Sequence, residues 1–147
     1  MFKALAILGL AAYAYAADES DRVIGLPGMN DTFSFKMYSG YLFVNGTKSL
    51  HYLFAESQSN PSTDPVIIWF NGGPGCSSML GFAQEHGPYA MESGETTWHV
   101  NDWSWNKEAS MLYIESPGGV GFSTCGSKEE CTFTDSSSGD DNLLAVL

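Results

Sequence analysis

Basic residues are scarce in this sequence. Lys and Arg number 6 against 17 Asp and Glu, for a net charge of −11 at pH 7. Without a basic patch to neutralise phosphates, no nucleic acid partner is expected. Long apolar runs are also missing: the N-terminal stretch ALAILGLAA falls well short of the ~20 residues a membrane-spanning helix needs. Cysteine is limited to three positions, 76, 125 and 131. The CxxxxxC pair has no nearby His or third Cys, which makes it a poor zinc site, and nothing else calls for a metal or a cofactor. No GxSxG elbow exists, since GCSSM and GFSTC each lack the second glycine. There are no internal repeats and no long low-complexity stretch, and nothing specifies an oligomer.

The opening segment, MFKALAILGLAAYAYA, reads as a secretory signal peptide over residues 1–16. Lys3 supplies the positive start, the apolar run follows, and Ala14-Tyr15-Ala16 gives the small-x-small cleavage pattern. Cutting there leaves residues 17–147 as the mature chain, with no membrane anchor and an even more acidic balance. Such a surface suits a secreted protein or one in an acidic organelle, extracellular or vacuolar/lysosomal. In an oxidising compartment Cys125 and Cys131 are expected to bridge, closing a loop worth about 2 kcal/mol. Cys76 is then the odd cysteine, and its expected partner lies outside the visible chain. Two sequons fit the same compartment, at Asn30 and at Asn45. Asn45-Gly46 also reads as a hairpin turn, which would expose a glycan at its tip.

The length suits one domain with a modest core. After an irregular lead-in, SGYLFV and SLHYLFAES, joined by NGTK, predict an antiparallel hairpin. VIIWF is apolar throughout, as a strand buried on both sides would be. SSMLGFAQEH predicts a helix capped by Ser77 or Ser78, with Met79, Phe82 and Ala83 on one face and Gly87-Pro88 as the stop. A turn-rich stretch leads to SMLYIES, a second buried-type strand, and then to a second glycine turn, PGGVGFS. SSSGDDNLLAVL predicts a helix with Ser or Asp at its cap. The class is therefore α/β: a leading antiparallel hairpin, then parallel strands with helices. Two central strands do not complete such a sheet, so the expectation is the first part of a larger domain.

The loop NGGPGCSS, just beyond the VIIWF strand, holds the strongest chemical signal. Glycines at a strand's end let backbone N–H groups reach the space above the sheet, and a following helix N-terminus adds positive potential. That arrangement can cradle a phosphate or stabilise an oxyanion. The loop lacks a P-loop lysine and GxGxxG spacing, which favours the oxyanion. None of the three histidines reads as a catalytic base: His51 lies in a hairpin strand, His86 at a helix end, His99 in a turn-rich loop. Glu115, at the end of SMLYIES, reads as a loop anchor.

WFNGGPGCSS, then EHGP, then WSWNKEASMLYIESPGGVGFS resemble the N-terminal signature regions of the serine carboxypeptidases. DRVIGLPG and SGYLFVNGTKSLHYLFAES add to the resemblance, which runs from Asp21 to the last residue. It implies an α/β-hydrolase fold and removal of single residues from peptide C-termini by a Ser–Asp–His triad. It also implies an oxyanion hole using the backbone N–H of Gly73, and a substrate carboxylate held by Asn71, the N–H of Gly72, and Glu85. In that family the cysteine of PGCSS pairs far downstream, which would account for Cys76. The triad itself is absent, so the expectation for 17–147 is an N-terminal portion, truncated before the nucleophile and inactive alone. The alternatives are a noncatalytic short protein that binds peptide C-termini and an acyltransferase of the same fold.

Overall fold

Aromatic and β-branched residues on either side of Asn45-Gly46 fold back on each other, as the turn signal predicts. In the structure, a computed structural model that describes residues 18–29 and 32–147, strand β1 is Arg22–Val23, β2 is Met37–Phe43 and β3 is Ser49–Ala55. Strands β2 and β3 pair antiparallel with Tyr41 opposite His51. Asn45 lies exposed in the turn between them. Both the signal segment and Asn30 lie outside the described residues.

Strand β4 is Val66–Trp69, β5 and β6 form a two-residue ladder at Tyr89–Ala90 and His99–Val100, and β7 is Ser110–Ile114. The main sheet runs β1-β2-β3-β7-β4. Among the described strands only β4 and β7 are parallel, with Trp69 opposite Tyr113. One face of the sheet packs Met37, Leu53, Ala55, Met111 and Tyr113 against Phe82 and Tyr89. Tyr38, Leu50, Tyr52 and Ile114 form a second cluster, which Ala145 of the final helix partly covers.

Strand β7 is buried as expected, but VIIWF is not. β4 occupies the sheet's edge; Ile67 and Trp69 turn toward the core while Val66, Ile68 and Phe70 are exposed. An all-apolar strand reads as doubly buried only when elements cover both its faces, and here one face is open.

The predicted helix after the glycine loop forms, but as a π-helix over Gly81–His86 rather than an α-helix. Gly81 explains the close approach beneath it, because a Cβ there would sit 2.5 Å from the Trp69 indole nitrogen. Helix α1 is Asp135–Val146. Its cap is Thr134, where Ser or Asp was expected. The Thr134 side chain accepts from the Ser137 N–H at 3.2 Å, and Ser137 Oγ accepts from the Thr134 N–H at 2.8 Å, so two orphan donors are met reciprocally. Lys48, at the hairpin turn, pairs with the buried Asp141 and fastens α1 to the sheet. Cys125 and Cys131 are bridged as expected, their Cα atoms 5.8 Å apart. Among the described residues no helix is long and apolar enough to cross a membrane.

Candidate active site

Because β4 and β7 run parallel, their C-terminal ends lie side by side, and both glycine turns leave from that end. The first turn needs its glycines: Gly73 sits at φ +142° and Gly75 at +87°. A Cβ on Gly73 would lie 3.0 Å from both the backbone nitrogen and the sulfur of Cys76. Residues 72–76 are exposed. Among the described residues neither Gly72 N–H nor Gly73 N–H has a hydrogen-bond partner.

Asn71, at the mouth, is held at two points. Its N–H donates to Ser78 Oγ at 3.0 Å, and that hydroxyl donates in turn to the Ile114 carbonyl at 2.6 Å. Its side-chain oxygen accepts from the Trp69 indole N–H at 3.0 Å. An indole offers only a donor, so the amide is turned with its oxygen toward Trp69 and its NH₂ away. The outward end of Asn71 is thus a pair of donors.

Glu85 stands exposed on the π-helix. Its carbonyl and that of Gly87 accept from Asn101 Nδ2 at 3.3 and 2.9 Å, which ties the helix end to the chain ahead of β7. Trp69 joins the two sides, since its ring meets His86 edge-on at 4.3 Å while its nitrogen holds Asn71. His86 is buried, stacked on Trp105 at 4.3 Å, with Nδ1 and the Tyr113 hydroxyl 3.1 Å apart. Burial pushes its pKa down, against a smaller upward pull from Glu85. His99 is exposed and bonds Glu95 at 2.9 Å.

Glu115 is fully buried. One carboxylate oxygen accepts from Ser77 Oγ; the other accepts from the Phe122 N–H at 2.8 Å and bonds His51 Nδ1 at 3.0 Å. Burial pushes the carboxyl up, but the bonds from His51, Ser77 and Phe122 and the His51 charge outweigh it and hold the pKa below the usual value. His51 lies in β3 between the Tyr41 and Phe122 rings, with Nε2 2.8 Å from Ser39 Oγ. Serine, histidine and carboxylate stand in hydrolytic order here. The carboxylate's remaining bonds go to the two glycine turns, however, so its visible work is to join segments.

Sequence reading proposes Asn71, Gly72, Gly73 and Glu85 as candidates but does not name the Trp69 indole that orients Asn71. A buried indole N–H needs a partner, and Trp69-Phe70-Asn71 offers one two residues on, so the signal was present. Cys76 is exposed and unpaired among the described residues. Among them, no group of three or more His, Cys, Asp or Glu could hold a metal ion. The free donors at the end of β4 are thus the Gly72 and Gly73 N–H groups and the Asn71 NH₂, and Glu85 stands exposed on the helix that follows.

Residues 27–147 match the family model described as serine carboxypeptidase. The chain is 47% identical over 119 residues to the lysosomal protective protein of Mus musculus, an alignment covering 81% of this chain and 25% of that protein. It is 43% identical over 137 residues to serine carboxypeptidase-like 21 of Arabidopsis thaliana, covering 90% and 28% respectively. The chain thus spans about a quarter of the length of these curated relatives. Among solved structures it resembles Kex1(delta)p, a prohormone-processing carboxypeptidase from Saccharomyces cerevisiae. The TM-score is 0.69 at 24% identity, covering 89% of this chain and 32% of that one. That likeness shows the fold, which is of α/β-hydrolase type with the sheet incomplete among the described residues.

Proposed function

The chain belongs to the serine carboxypeptidase family, and on that premise we propose that its glycine loop grips the C-terminus of a peptide while the last peptide bond is hydrolysed. The observation that carries the proposal is the set of free donors: the N–H groups of Gly72 and Gly73 and the outward NH₂ of Asn71. Gly73 N–H stabilises the oxyanion of the tetrahedral intermediate. Asn71, Gly72 N–H and Glu85 hold the substrate's free carboxylate; Glu85 can donate only while it carries a proton. The chain holds no GxSxG elbow, so it contributes binding and oxyanion groups and not the nucleophile. Residues 17–147 alone are accordingly inactive as a peptidase.

The protein enters the secretory pathway by a signal removed after Ala16, carries glycans at Asn30 and Asn45, and works outside the cell or in a lysosome or vacuole. The Cys125–Cys131 bridge and the exposed Asn45 turn support this. Cys76 pairs with a cysteine beyond this sequence.

Substrates that lack the carboxylate separate the gripping role from a folding defect. In the full-length enzyme Asn71→Ala should lower kcat/KM for free-acid peptides by about 2 kcal/mol, the scale of a hydrogen bond to a charged group. Peptide amides and esters should be affected far less. Equal losses on acids and amides would refute the carboxylate grip.

A further inference from the structure

We infer that Glu115 is a positioning residue for the anion-binding loop, holding the loop's exit at Ser77 to strand β3 through His51 and to the second glycine turn through Phe122. The inference rests on the proposed reading of that loop as the oxyanion and carboxylate site. Two fastenings hold the loop, and both end on adjacent residues at the close of β7. The entrance is held by the Asn71 N–H on Ser78 Oγ and by Ser78 Oγ on the Ile114 carbonyl. At the exit, Ser77 Oγ donates to Glu115 and accepts from the Met79 N–H at 3.1 Å, so one hydroxyl joins the carboxylate to the start of the following helix.

Residues 72–76 between these fastenings are exposed, and among the described residues their side chains make no hydrogen bond. The positions of the Gly72 and Gly73 N–H groups therefore follow from the two ends. Glu115 cannot touch substrate: it is fully buried, and both carboxylate oxygens are taken by Ser77, His51 and Phe122. Its main chain is held as well, because Ser123 Oγ donates to the Glu115 carbonyl at 2.6 Å and accepts from the His51 N–H at 2.8 Å. A shift of the Glu115 carboxylate would move Ser77, and with it one end of the donor loop. A loop carrying oxyanion donors is sensitive to such displacement, because the donors act only where charge develops.

The experiment uses the full-length protein with Glu115→Gln, Ser77→Ala and Ser77→Thr. If Glu115 positions the donors, Glu115→Gln and Ser77→Ala lower kcat on the order of tenfold, less than loss of a whole oxyanion donor. Free acids, amides and esters all lose kcat, since an oxyanion forms in each, and KM rises only for free acids, whose carboxylate the displaced Gly72 N–H holds. Ser77→Thr, which keeps the hydroxyl, restores the rate.

The second readout is hydrogen exchange at amides that do not touch Glu115. The Asn71 and Met79 N–H groups should exchange on the order of tenfold faster in Glu115→Gln, the share of about one hydrogen bond. In Ser77→Ala the Met79 N–H loses its own acceptor, so there the Asn71 N–H is the readout and should likewise exchange faster, which covers the case in which Glu115→Gln fails to fold. Unchanged exchange at Asn71 in folded Ser77→Ala would overturn the inference, as would a rate loss confined to free acids. Should the wild type show no carboxypeptidase activity, the functional reading falls, and the exchange result still decides whether Glu115 anchors the loop.

Discussion

Two glycine-rich turns leave the same end of two neighbouring parallel strands, yet they are built in opposite senses. The first, after β4, is open: Gly72 has nothing within 4 Å of where a Cβ would stand, and the loop's Gly72 and Gly73 N–H donors have no partner among the described residues. The second, after β7, closes around a charge. Gly121 sits at φ +54°, where a Cβ would overlap the Glu115 carboxylate, and Gly119 lies against both sulfurs of the disulfide. Glycine serves access in one turn and packing in the other. The same letters in a sequence thus describe an exposed loop and a closed frame.

The largest expected effect lies in the closed turn. Gly121→Ala adds backbone strain to a clash with a buried, hydrogen-bonded carboxylate, and should cost on the order of 4 kcal/mol. Thermal or denaturant unfolding measures it, and a loss below about 1 kcal/mol would mean that the closed turn is not closed.

Acid supplies a smaller break. The folded-state pKa of Glu115 is held low, so its contribution is present above the ordinary glutamate range and is lost as pH falls through the lowered value. Wild-type stability should therefore drop as pH falls below the ordinary glutamate range, and the Phe122 amide should lose exchange protection once Glu115 takes up a proton. In Glu115→Gln that part of the pH dependence should vanish. An unaltered acid profile in the variant would show that the charge does not hold the turn. The lowering also extends the frame's working range further into acid than an ordinary glutamate would allow.

Smallest of all should be Gly72→Ala. Its φ is not in the left-handed region and its Cβ would meet open space, so unfolding should shift by no more than ~0.5 kcal/mol. A cost near that of Gly121→Ala would erase the distinction between the turns.

Local features were the legible ones. The Asn45-Gly46 hairpin, the bridge between cysteines six residues apart, and the glycine loop at a strand's end all depend on neighbours in sequence. Glu115 read as a loop anchor, but its partners did not, because His51 lies 64 residues away and Ser77 38. VIIWF and SMLYI look alike as strings; which is interior is decided by strand order, and no local pattern encodes that. The π-helix carried the apolar spacing of an α-helix, and nothing in that spacing signals the wider turn. Thr134 stands in a run of competing caps, TDSSS, where several residues could begin the helix.

The strand order also sets a timetable. During synthesis β4 leaves the ribosome before its only partner among the described strands, because β7 begins roughly forty residues later. At roughly 5–20 residues per second, that is an interval of some seconds. The β2–β3 hairpin can close as soon as it emerges, whereas Trp69 and the loop behind it wait for Ser110–Ile114 to dock between hairpin and edge. The donor loop is thus among the late products of folding. A nascent chain stalled before residue 110 would present the hairpin without the strand that fixes β4 and its glycine loop.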